Sequence, residues 1–376
     1  MRGAECALGI RSPGRAPHED PGLGRGGGFL KPVFVFGATG YVGGELLRLL
    51  ALHPEFELAG AVSGSQAGKP VASVFPHLLT AYGSTCFVGA EEGLRAVGEG
   101  SESFVFLALP HGESARVARE ILAMGKNIHL VDLSADFRFQ EAVQYEKMHG
   151  HPHPTPELLG QFVFGHPELL PEVKTGPVAH PGCFTTSVTL AVAPLLAAGA
   201  VGPNVRVSAV TGSTGSGREP KAATHHPDRH GNVRAYNPLR HRHADEMSAL
   251  LGRVAGAEID VRFVPHSGNF ARGILSTIFL DAQTSASEEE LIQMVNEMYA
   301  PRGGFVTASA AMPSVKDVVG TNLVRVGVVR EGDQIVLTSA LDNLTKGASG
   351  GAMQWMNRLA GLDDATGLKS PGWGWN

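Results

Sequence analysis

Short apolar runs alternate with amphipathic stretches along the first half of the chain. The runs are rich in branched and aromatic residues, which is typical of strands buried on both faces of a sheet. They lie at 29–36, 57–62, 104–109 and 128–132, and helical patterns lie at 45–52 and 113–124. Strands that alternate with helices predict βαβ units and a parallel sheet.

Beyond residue 180 the apolar runs become longer and helices become fewer. The β-type runs lie at 205–210, 274–280, 322–329 and 334–340, and the helical patterns lie at 187–196, 287–299 and 347–359. We therefore expect an α/β protein with a Rossmann-like parallel-sheet domain at 29–180 and an α+β domain at 181–342, whose sheet is mixed or antiparallel. We expect the helix of 343–376 to pack back on the first domain.

Residues 1–28 have a different composition, rich in glycine, proline and arginine and poor in large apolar residues. Such a segment has no apolar face to bury, so we expect a disordered extension or the product of an upstream start. A transit peptide is the alternative, although Glu5, Glu19 and Asp20 disfavour it.

The overall balance of charge narrows the class of protein. Lys+Arg number 31 against 36 Asp+Glu, for a formal net charge of −5, which disfavours a protein that coats nucleic acid or an anionic membrane. No apolar run reaches the length of a membrane span. Cys6, Cys86 and Cys183 are too few and too scattered for a disulfide framework, which fits a reducing cytoplasm.

A glycine-rich turn separates the first predicted strand from the first predicted helix. Its spacing is G-x-x-G-x-x-G, and glycine there lets the backbone approach a pyrophosphate at a helix N-terminus. The predicted dinucleotide contacts are Gly37, Thr39, Gly40, Tyr41, Val42 and Gly43. The alternative is a tight turn without a ligand.

The end of the second predicted strand bears on which dinucleotide would bind. NAD sites usually place an acid there for the ribose 2′-hydroxyl. Here the segment carries Ser63, Ser65 and Lys69 and no acid, which favours the 2′-phosphate of NADP(H). Alternatively, the two serines only shape a turn.

Cys183 stands just before the helical pattern at 187–196. A thiolate at a helix N-terminus is stabilised by the helix dipole and the unpaired amides, which makes a nucleophile. The alternative is an ordinary buried cysteine. A dinucleotide domain together with a nucleophilic thiol predicts that an acyl group is captured as a thioester and exchanges hydride with a nicotinamide.

Eight motifs, in order along the chain, resemble those of the N-acetyl-γ-glutamyl-phosphate reductase family of the semialdehyde dehydrogenase superfamily. They are GATGYVGGELLRLL at 37–50, LALPHG at 107–112, DLSADFR at 132–138, HPGCFTT at 180–186, TGSTGSGR at 211–218, HRHADE at 241–246, RGIL at 272–275 and LDNLTKGASG at 341–350. The resemblance covers about 32–370. It implies that Cys183 is the nucleophile, His241 the acid/base and Glu246 an assisting or substrate-contacting residue.

The chain departs from this family at three places. Gly64 stands where members often have an arginine, and HRHADE replaces the commoner HRHTPE. The segment 224–238 is similar to reductases that act on a carrier-protein-bound aminoadipate phosphate, whereas 180–186 is closer to the arginine-pathway enzymes. The exact acyl donor therefore stays open.

Four further side chains are candidates for ligand contacts. Ser134 follows a predicted strand and could contact cofactor or substrate, or only form a turn. Asn343 could contact the nicotinamide, or only its own loop. Arg218 and Arg272 could bind a substrate carboxylate with the guanidinium fork, or lie on the surface.

The histidines at 149–153 and 225–243 lie on segments broken by proline and glycine, without the ligand spacing of zinc sites, so we expect no metal. The resulting hypothesis is NADPH-dependent reduction of N-acetyl-γ-glutamyl phosphate in arginine biosynthesis, by a homodimer or homotetramer. The alternatives are a carrier-protein-linked aminoadipate 6-phosphate reductase of lysine biosynthesis and a non-catalytic NADP-binding regulator.

Overall fold

The computed structural model describes residues 30–374, so the expectation for residues 1–28 lies outside the described chain. The described residues divide into two compact units. The first comprises 30–164, Lys174–His180 and Ala352–Leu368, and the second comprises Gly165–Val173, Pro181–Gly351 and 369–374. Between residues 30 and 374, no helix is both long and apolar enough to cross a membrane.

The first unit contains a six-stranded parallel sheet in the order β2-β1-β3-β4-β6-β5. The strands are β1 (Lys31–Phe36), β2 (Phe56–Val62), β3 (Glu102–Leu107), β4 (Asn127–Asp132), β5 (Val163–Phe164) and β6 (Val178–Ala179). The helices within 30–164 are α1 (Tyr41–Ala51), α2 (Val71–Val74), α3 (Leu79–Tyr82), α4 (Ala90–Glu99), α5 (Glu113–Ala123) and α6 (Ala142–His149). The Rossmann-like fold class is confirmed.

Strand β1 lies at the point where the strand order reverses. Phe36, its last residue, is paired with Val62 of β2 on one side and Leu107 of β3 on the other, so the carboxyl ends of three strands meet at one edge. In open α/β sheets this edge is where ligands bind.

The second unit contains a seven-stranded mixed sheet in the order β11-β12-β13-β10-β7-β9-β8, in which β7/β9 and β11/β12 are parallel. The strands are β7 (Val201–Thr211), β8 (Arg234–Ala235), β9 (Asp260–Ser267), β10 (Ile274–Ala282), β11 (Val306–Ser309), β12 (Val324–Glu331) and β13 (Gln334–Leu341). The helices of the second unit are α7 (Cys183–Ala197), α8 (His226–Arg229), α9 (His243–Ala255) and α10 (Glu288–Tyr299). A further helix, α11 (Gly350–Leu359), has its first two residues in the second unit and the rest in the first unit.

Helix α7 forms the centre of the second unit's core. Every residue from Phe184 to Leu196 is buried, and the helix packs against α9, α10 and strands β10 and β13. A mostly apolar helix that is buried on all sides is expected only where it is surrounded by protein. The expected helix at 187–196 is confirmed, but it begins four residues earlier, at Cys183.

Candidate active site

The glycine turn after β1 has the close backbone approach that its spacing predicts. Gly37 has a φ of 78°, and a Cβ there would lie 2.3 Å from the carbonyl oxygen of Ala108. A Cβ at Gly43 would lie 2.4 Å from the Gly37 carbonyl oxygen. Glycine is therefore required at both positions for α1 to begin against β1.

The N-terminus of α1 is suited to an anionic ligand. Thr39 and Gly40 lead into Tyr41 and Val42, the first two residues of the helix; Gly40 caps it without a side-chain hydrogen bond, and the first turn carries no acidic residue. The amides and the helix dipole at such an end stabilise a phosphate.

The segment after β2 carries hydroxyls and a cation. The Ser63 hydroxyl lies 3.3 Å from that of Thr39, while Ser65 and Lys69 are exposed. No acidic residue occurs in 63–69, and a Cβ at Gly64 would meet nothing within 4 Å. Together with the glycine turn, these residues fit a dinucleotide that carries a 2′-phosphate.

Ser134 is tied into a buried network at the carboxyl end of β4. Its amide and hydroxyl donate to the Asp132 carboxylate at 3.1 and 2.7 Å, and its hydroxyl accepts from the Asp136 amide at 3.0 Å. Burial, followed by the charge of Asp136, raises the pKa of Asp132 to about 6. This geometry favours the turn interpretation of Ser134 over ligand contact.

Cys183 is the first residue of α7, where we expected it only near the start of a helix. Gly182 caps the helix with extended backbone and no side-chain hydrogen bond. The Cys183 thiol is half-buried and not part of a disulfide. This position gives a thiolate the stabilisation that a helix N-terminus provides.

Glu246 joins the start of α7 to α9. Its side chain is fully buried, and Oε2 accepts hydrogen bonds from the Gly182 amide at 2.9 Å and the Thr185 hydroxyl at 2.8 Å. A Cβ at Gly182 would lie 2.3 Å from Nε2 of His243, so this histidine packs directly on the Gly182 backbone. Glu246 and His243 thus fix the backbone on which Cys183 is mounted.

His241 lies among aromatic rings in the second unit. The rings of Phe184, Tyr236 and Phe263 approach it edge-on, with centroids 5.9, 5.6 and 5.4 Å away. Its Nδ1 accepts a hydrogen bond from the His243 amide at 3.2 Å. Burial, followed by the charge of Arg242, lowers the pKa of His241 to about 4, so the ring is neutral near pH 7 with its proton on Nε2.

Two residues near Cys183 were missed by the sequence analysis. The pKa of the Tyr236 hydroxyl is raised, first by burial and then by the charge of Cys183, so Tyr236 lies within electrostatic range of the thiol. Gly347 packs on the thiol-bearing residue, because a Cβ at 347 would lie 2.8 Å from the Cys183 Cβ.

The turn that carries Gly347 is held by a buried ion pair. This turn is a π-helical segment, Thr345–Ser349, where we had expected the start of the last helix. The Lys346 ammonium donates to the Glu168 carboxylate, and each side chain is 1% exposed. The glycine-rich sequence of this segment permits the wider turn that precedes α11.

The remaining candidates are bound to other parts of the second unit. Asn343 accepts from the Gly273 amide at 2.6 Å and donates to the Thr214 hydroxyl at 3.0 Å. Arg272 forms an ion pair with Asp342 at 2.9 Å. Arg218 is exposed. Within 30–374, no group of three or more His, Cys, Asp or Glu side chains is arranged to hold a metal ion.

Comparisons with known proteins agree with this architecture. The family model "Semialdehyde dehydrogenase, NAD binding domain" matches residues 32–175, and "Semialdehyde dehydrogenase, dimerisation domain" matches 183–343. A solved aspartate semialdehyde dehydrogenase II from Vibrio cholerae has a TM-score of 0.68 at 18% identity, covering 89% of this chain and 99% of that chain. Aspartate semialdehyde dehydrogenase with NADP from Candida albicans has a TM-score of 0.64 at 16% identity, with the same coverage.

Curated relatives are similar over almost their whole length. N-acetyl-gamma-glutamyl-phosphate reductase from Desulforudis audaxviator is 42% identical over 347 residues, which is 90% of this chain and 98% of the relative. The protein of the same name from Pelotomaculum thermopropionicum is 39% identical over 346 residues, with the same coverage. The chain belongs to the N-acetyl-gamma-glutamyl-phosphate reductase family of semialdehyde dehydrogenases.

Proposed function

We propose that the protein reduces N-acetyl-γ-glutamyl phosphate to N-acetylglutamate 5-semialdehyde and phosphate, with NADPH as the reductant. The names of the curated relatives support this acyl donor. The single structural observation that carries the chemistry is the position of Cys183 at the start of a buried helix, where the next residue, Phe184, contacts His241 edge-on and Glu246 binds the first turn.

Cys183 is the proposed nucleophile. Its thiolate sulfur forms a bond to the acyl carbon, the bond from that carbon to the phosphate oxygen breaks, and inorganic phosphate leaves with the electron pair. The product is a thioester on Cys183. After reduction of the acyl carbon, the carbon–sulfur bond breaks, the aldehyde is released and the thiolate is regenerated.

When bound, NADPH would supply the hydride that reduces this acyl carbon. In the first unit, Gly37, Gly40 and Gly43 with the N-terminus of α1 would hold its pyrophosphate, and Ser63, Ser65 and Lys69 would hold its 2′-phosphate.

His241 holds a proton at Nε2 in the proposed mechanism. Because Nδ1 already accepts from the His243 amide, the neutral ring presents Nε2–H as a hydrogen-bond donor. A donor of this kind stabilises the acyl oxygen as it gains negative charge. The geometry therefore favours a hydrogen-bond donor role within the acid/base role that the resemblance implies.

Glu246 is proposed as a positioning residue. Its Oε2 accepts hydrogen bonds from the Gly182 amide and the Thr185 hydroxyl at the start of α7, so this oxygen is bound to the helix that carries Cys183. Positioning of a nucleophile contributes to rate because the reacting atoms must approach in line and at short range.

The decisive experiment is the reaction run in reverse. The protein is mixed with N-acetylglutamate semialdehyde, NADP and inorganic phosphate, and NADPH formation is followed at 340 nm. Phosphate-dependent reduction of NADP supports the proposal. Its absence, or reduction only with a carrier-linked aminoadipate semialdehyde, would refute the proposed substrate, and no reduction with either donor would favour a non-catalytic NADP-binding protein.

A homo-oligomer is the proposed quaternary state. The dimerisation-domain match includes β10, β12 and β13, whose outer face carries a row of apolar side chains. Phe279 and Val329 in this row are 47% and 41% exposed, with Val336 paired between them. Covering this face with a second copy would remove the row from water. Light scattering should show a dimer or tetramer, and Phe279→Asp should shift it toward the monomer.

A further inference from the structure

The second unit contains a cavity of about 290 Å³ that no sequence motif led us to expect. Its polar lining consists of Ser213, Thr224, His226, Arg229, His230 and Asn269. These side chains offer hydroxyl, imidazole, guanidinium and amide donors, and the lining contains no carboxylate. A concave site with this composition is suited to an anion.

Arg229 supplies a fixed positive charge to the cavity. Its Nη1 donates to the Ser267 hydroxyl at 2.6 Å, and its Nη2 donates to the carbonyl oxygens of Gly268 and Phe270. All three acceptors are neutral. Within the described chain, Arg229 forms no ion pair with a carboxylate; Asp228, its neighbour, lies 3.5 Å from His225 instead.

This lack of a counter-charge distinguishes Arg229 from Arg272, which is neutralised by Asp342 at 2.9 Å. Burial, together with the charge of Arg234, lowers the pKa of Arg229, which is the direction expected for a cation without an acidic partner. An arriving anion would remove this penalty, because it would supply the missing charge.

The cavity is adjacent to the proposed catalytic residues. The Tyr236 amide donates to the Pro265 carbonyl oxygen of β9 at 3.0 Å, and Ser267, two residues further along β9, is the hydrogen-bond partner of Arg229. The Tyr236 ring in turn lies 5.6 Å from the ring of His241. Thr214, next to Ser213 of the lining, accepts a hydrogen bond from Asn343 at 3.0 Å.

We propose that this cavity is the subsite for the free α-carboxylate of the substrate, with Arg229 as its counter-charge. The inference rests on the proposed function. In N-acetyl-γ-glutamyl phosphate, three carbon atoms separate the α-carboxylate from the acyl carbon that Cys183 attacks. Such a substrate therefore requires an anion-binding site close to Cys183. Arg229 replaces Arg218 and Arg272 as the carboxylate-binding arginine.

The test compares N-acetylglutamate with its α-carboxamide, N-acetylisoglutamine, as competitive inhibitors of the reverse reaction. In the wild type the carboxamide should bind about 10- to 100-fold more weakly, as expected for loss of a charge-assisted hydrogen bond. In Arg229→Gln the two inhibitors should bind alike, and the KM of the semialdehyde should rise by the same factor. The kcat and the KM values of NADP and phosphate should stay near wild type.

Several controls keep the outcomes distinct. Arg240→Gln removes an exposed arginine of the same segment and should retain the discrimination. If Arg229→Gln does not fold, Ser213→Asp tests the cavity instead, since an added carboxylate should weaken binding of N-acetylglutamate but not of the carboxamide. Unchanged discrimination in the folded variants, or an effect on the phosphate KM alone, would overturn the inference.

The proposed function can fail separately. If the wild type does not reduce NADP with the semialdehyde, the proposed reaction is wrong, and calorimetry with N-acetylglutamate and N-acetylisoglutamine still measures whether Arg229 distinguishes a carboxylate from an amide. Equal affinities in the wild type would then refute the carboxylate subsite.

Discussion

The Thr185 hydroxyl donates a 2.8 Å hydrogen bond to Oε2 of Glu246, which joins the first turn of α7 to α9. The same oxygen accepts from the Gly182 amide, so one buried carboxylate satisfies two donors beside Cys183. A buried carboxylate is costly unless it is hydrogen-bonded, and these two bonds offset part of that cost. The position of the thiol therefore depends on a residue 63 positions away in the chain.

Glu246→Ala should impair both stability and catalysis. Two buried donors would lose their acceptor, which costs about 1–3 kcal/mol each in the free energy of unfolding. Glu246→Gln keeps an amide oxygen as acceptor and should lose less. The free energy of unfolding, measured by urea titration, and kcat should therefore both decrease in the order wild type, Glu246→Gln, Glu246→Ala. Glu289→Ala, which removes an exposed glutamate, is the control; an Ala variant as stable as wild type would contradict the role of Glu246.

Cys183→Ser should lose turnover by more than about 10³-fold, because a serine alkoxide is hard to form near neutral pH and an oxygen ester accepts hydride poorly. Binding of NADPH, measured by fluorescence titration, should be unchanged, since the glycine turn lies in the first unit. Iodoacetamide should label Cys183 in the wild type, and acyl phosphate should protect it. A variant that turns over near the wild-type rate would exclude the thioester mechanism.

Gly347→Ala should reduce kcat by about 10- to 100-fold, because the new Cβ would lie 2.8 Å from the Cys183 Cβ and would displace the nucleophile. The matched control is Gly89→Ala, where a Cβ would meet nothing within 4 Å. The rate of Cys183 alkylation should change in the first variant and not in the second. Equal kcat values in both variants would show that the π-helical turn yields without moving the thiol.

Stability should decline as the pH falls from about 6.5 to about 4, partly through His53. Burial lowers the pKa of His53 to about 4, against hydrogen bonds to Asn357 and Thr366 that raise it. In that range the unfolded chain binds the proton at His53 and the folded chain does not. The contribution of His53 to the free energy of unfolding is therefore complete above pH 6.5 and is lost toward pH 4, by at most about 3 kcal/mol. His241 acts in the same direction.

His53→Gln isolates this contribution. Its free energy of unfolding, measured by urea titration at pH 7, 6, 5 and 4.5, should depend less steeply on pH than that of the wild type. His77→Gln, which removes a histidine exposed at the surface, should leave the slope unchanged. Equal slopes in the wild type and His53→Gln would show that the pKa of His53 is the same in the folded and unfolded chains.

Local patterns were sufficient for most of the sheet strands. The run at 104–109 predicted β3 because every residue from Phe104 to Leu107 is buried between layers, where polar residues are excluded. Strand β9 was missed, since Pro265 interrupts its run. In the structure β9 pairs along its length with β7 but meets β8 only at His266 and Ser267, so the missing amide of Pro265 is tolerated near the sheet edge.

The site was only partly predictable, because several of its determinants are distant in sequence. The motif at 180–186 indicated Cys183 as the nucleophile. The structure gives a physical reason, because helix α7 begins at this residue. The Lys346–Glu168 ion pair joins residues 178 positions apart, and no pattern in either segment indicates it. Likewise, Arg218 and Arg229 look alike in the sequence, and only the three-dimensional contacts show which guanidinium is fixed in a cavity.

Selectivity for NADPH over NADH should depend on the exposed end of the segment after β2. Lys69 is the cation in 63–69, and this segment contains no arginine. An exposed ion pair contributes about 0.2–1 kcal/mol. Lys69→Ala should therefore raise the KM of NADPH up to about fivefold and leave that of NADH unchanged.

Ser65→Asp should act more strongly than Lys69→Ala, since a carboxylate would repel the 2′-phosphate and could accept from a 2′-hydroxyl. It should lower kcat/KM for NADPH and raise it for NADH. Lys174→Ala, an exposed lysine outside this segment, is the charge-matched control for Lys69→Ala. If Lys69→Ala changes the KM of both cofactors equally, Lys69 contacts a part of the molecule that NADPH and NADH share. The 2′-phosphate must then be held by the hydroxyls of Thr39 and Ser63, which lie 3.3 Å apart.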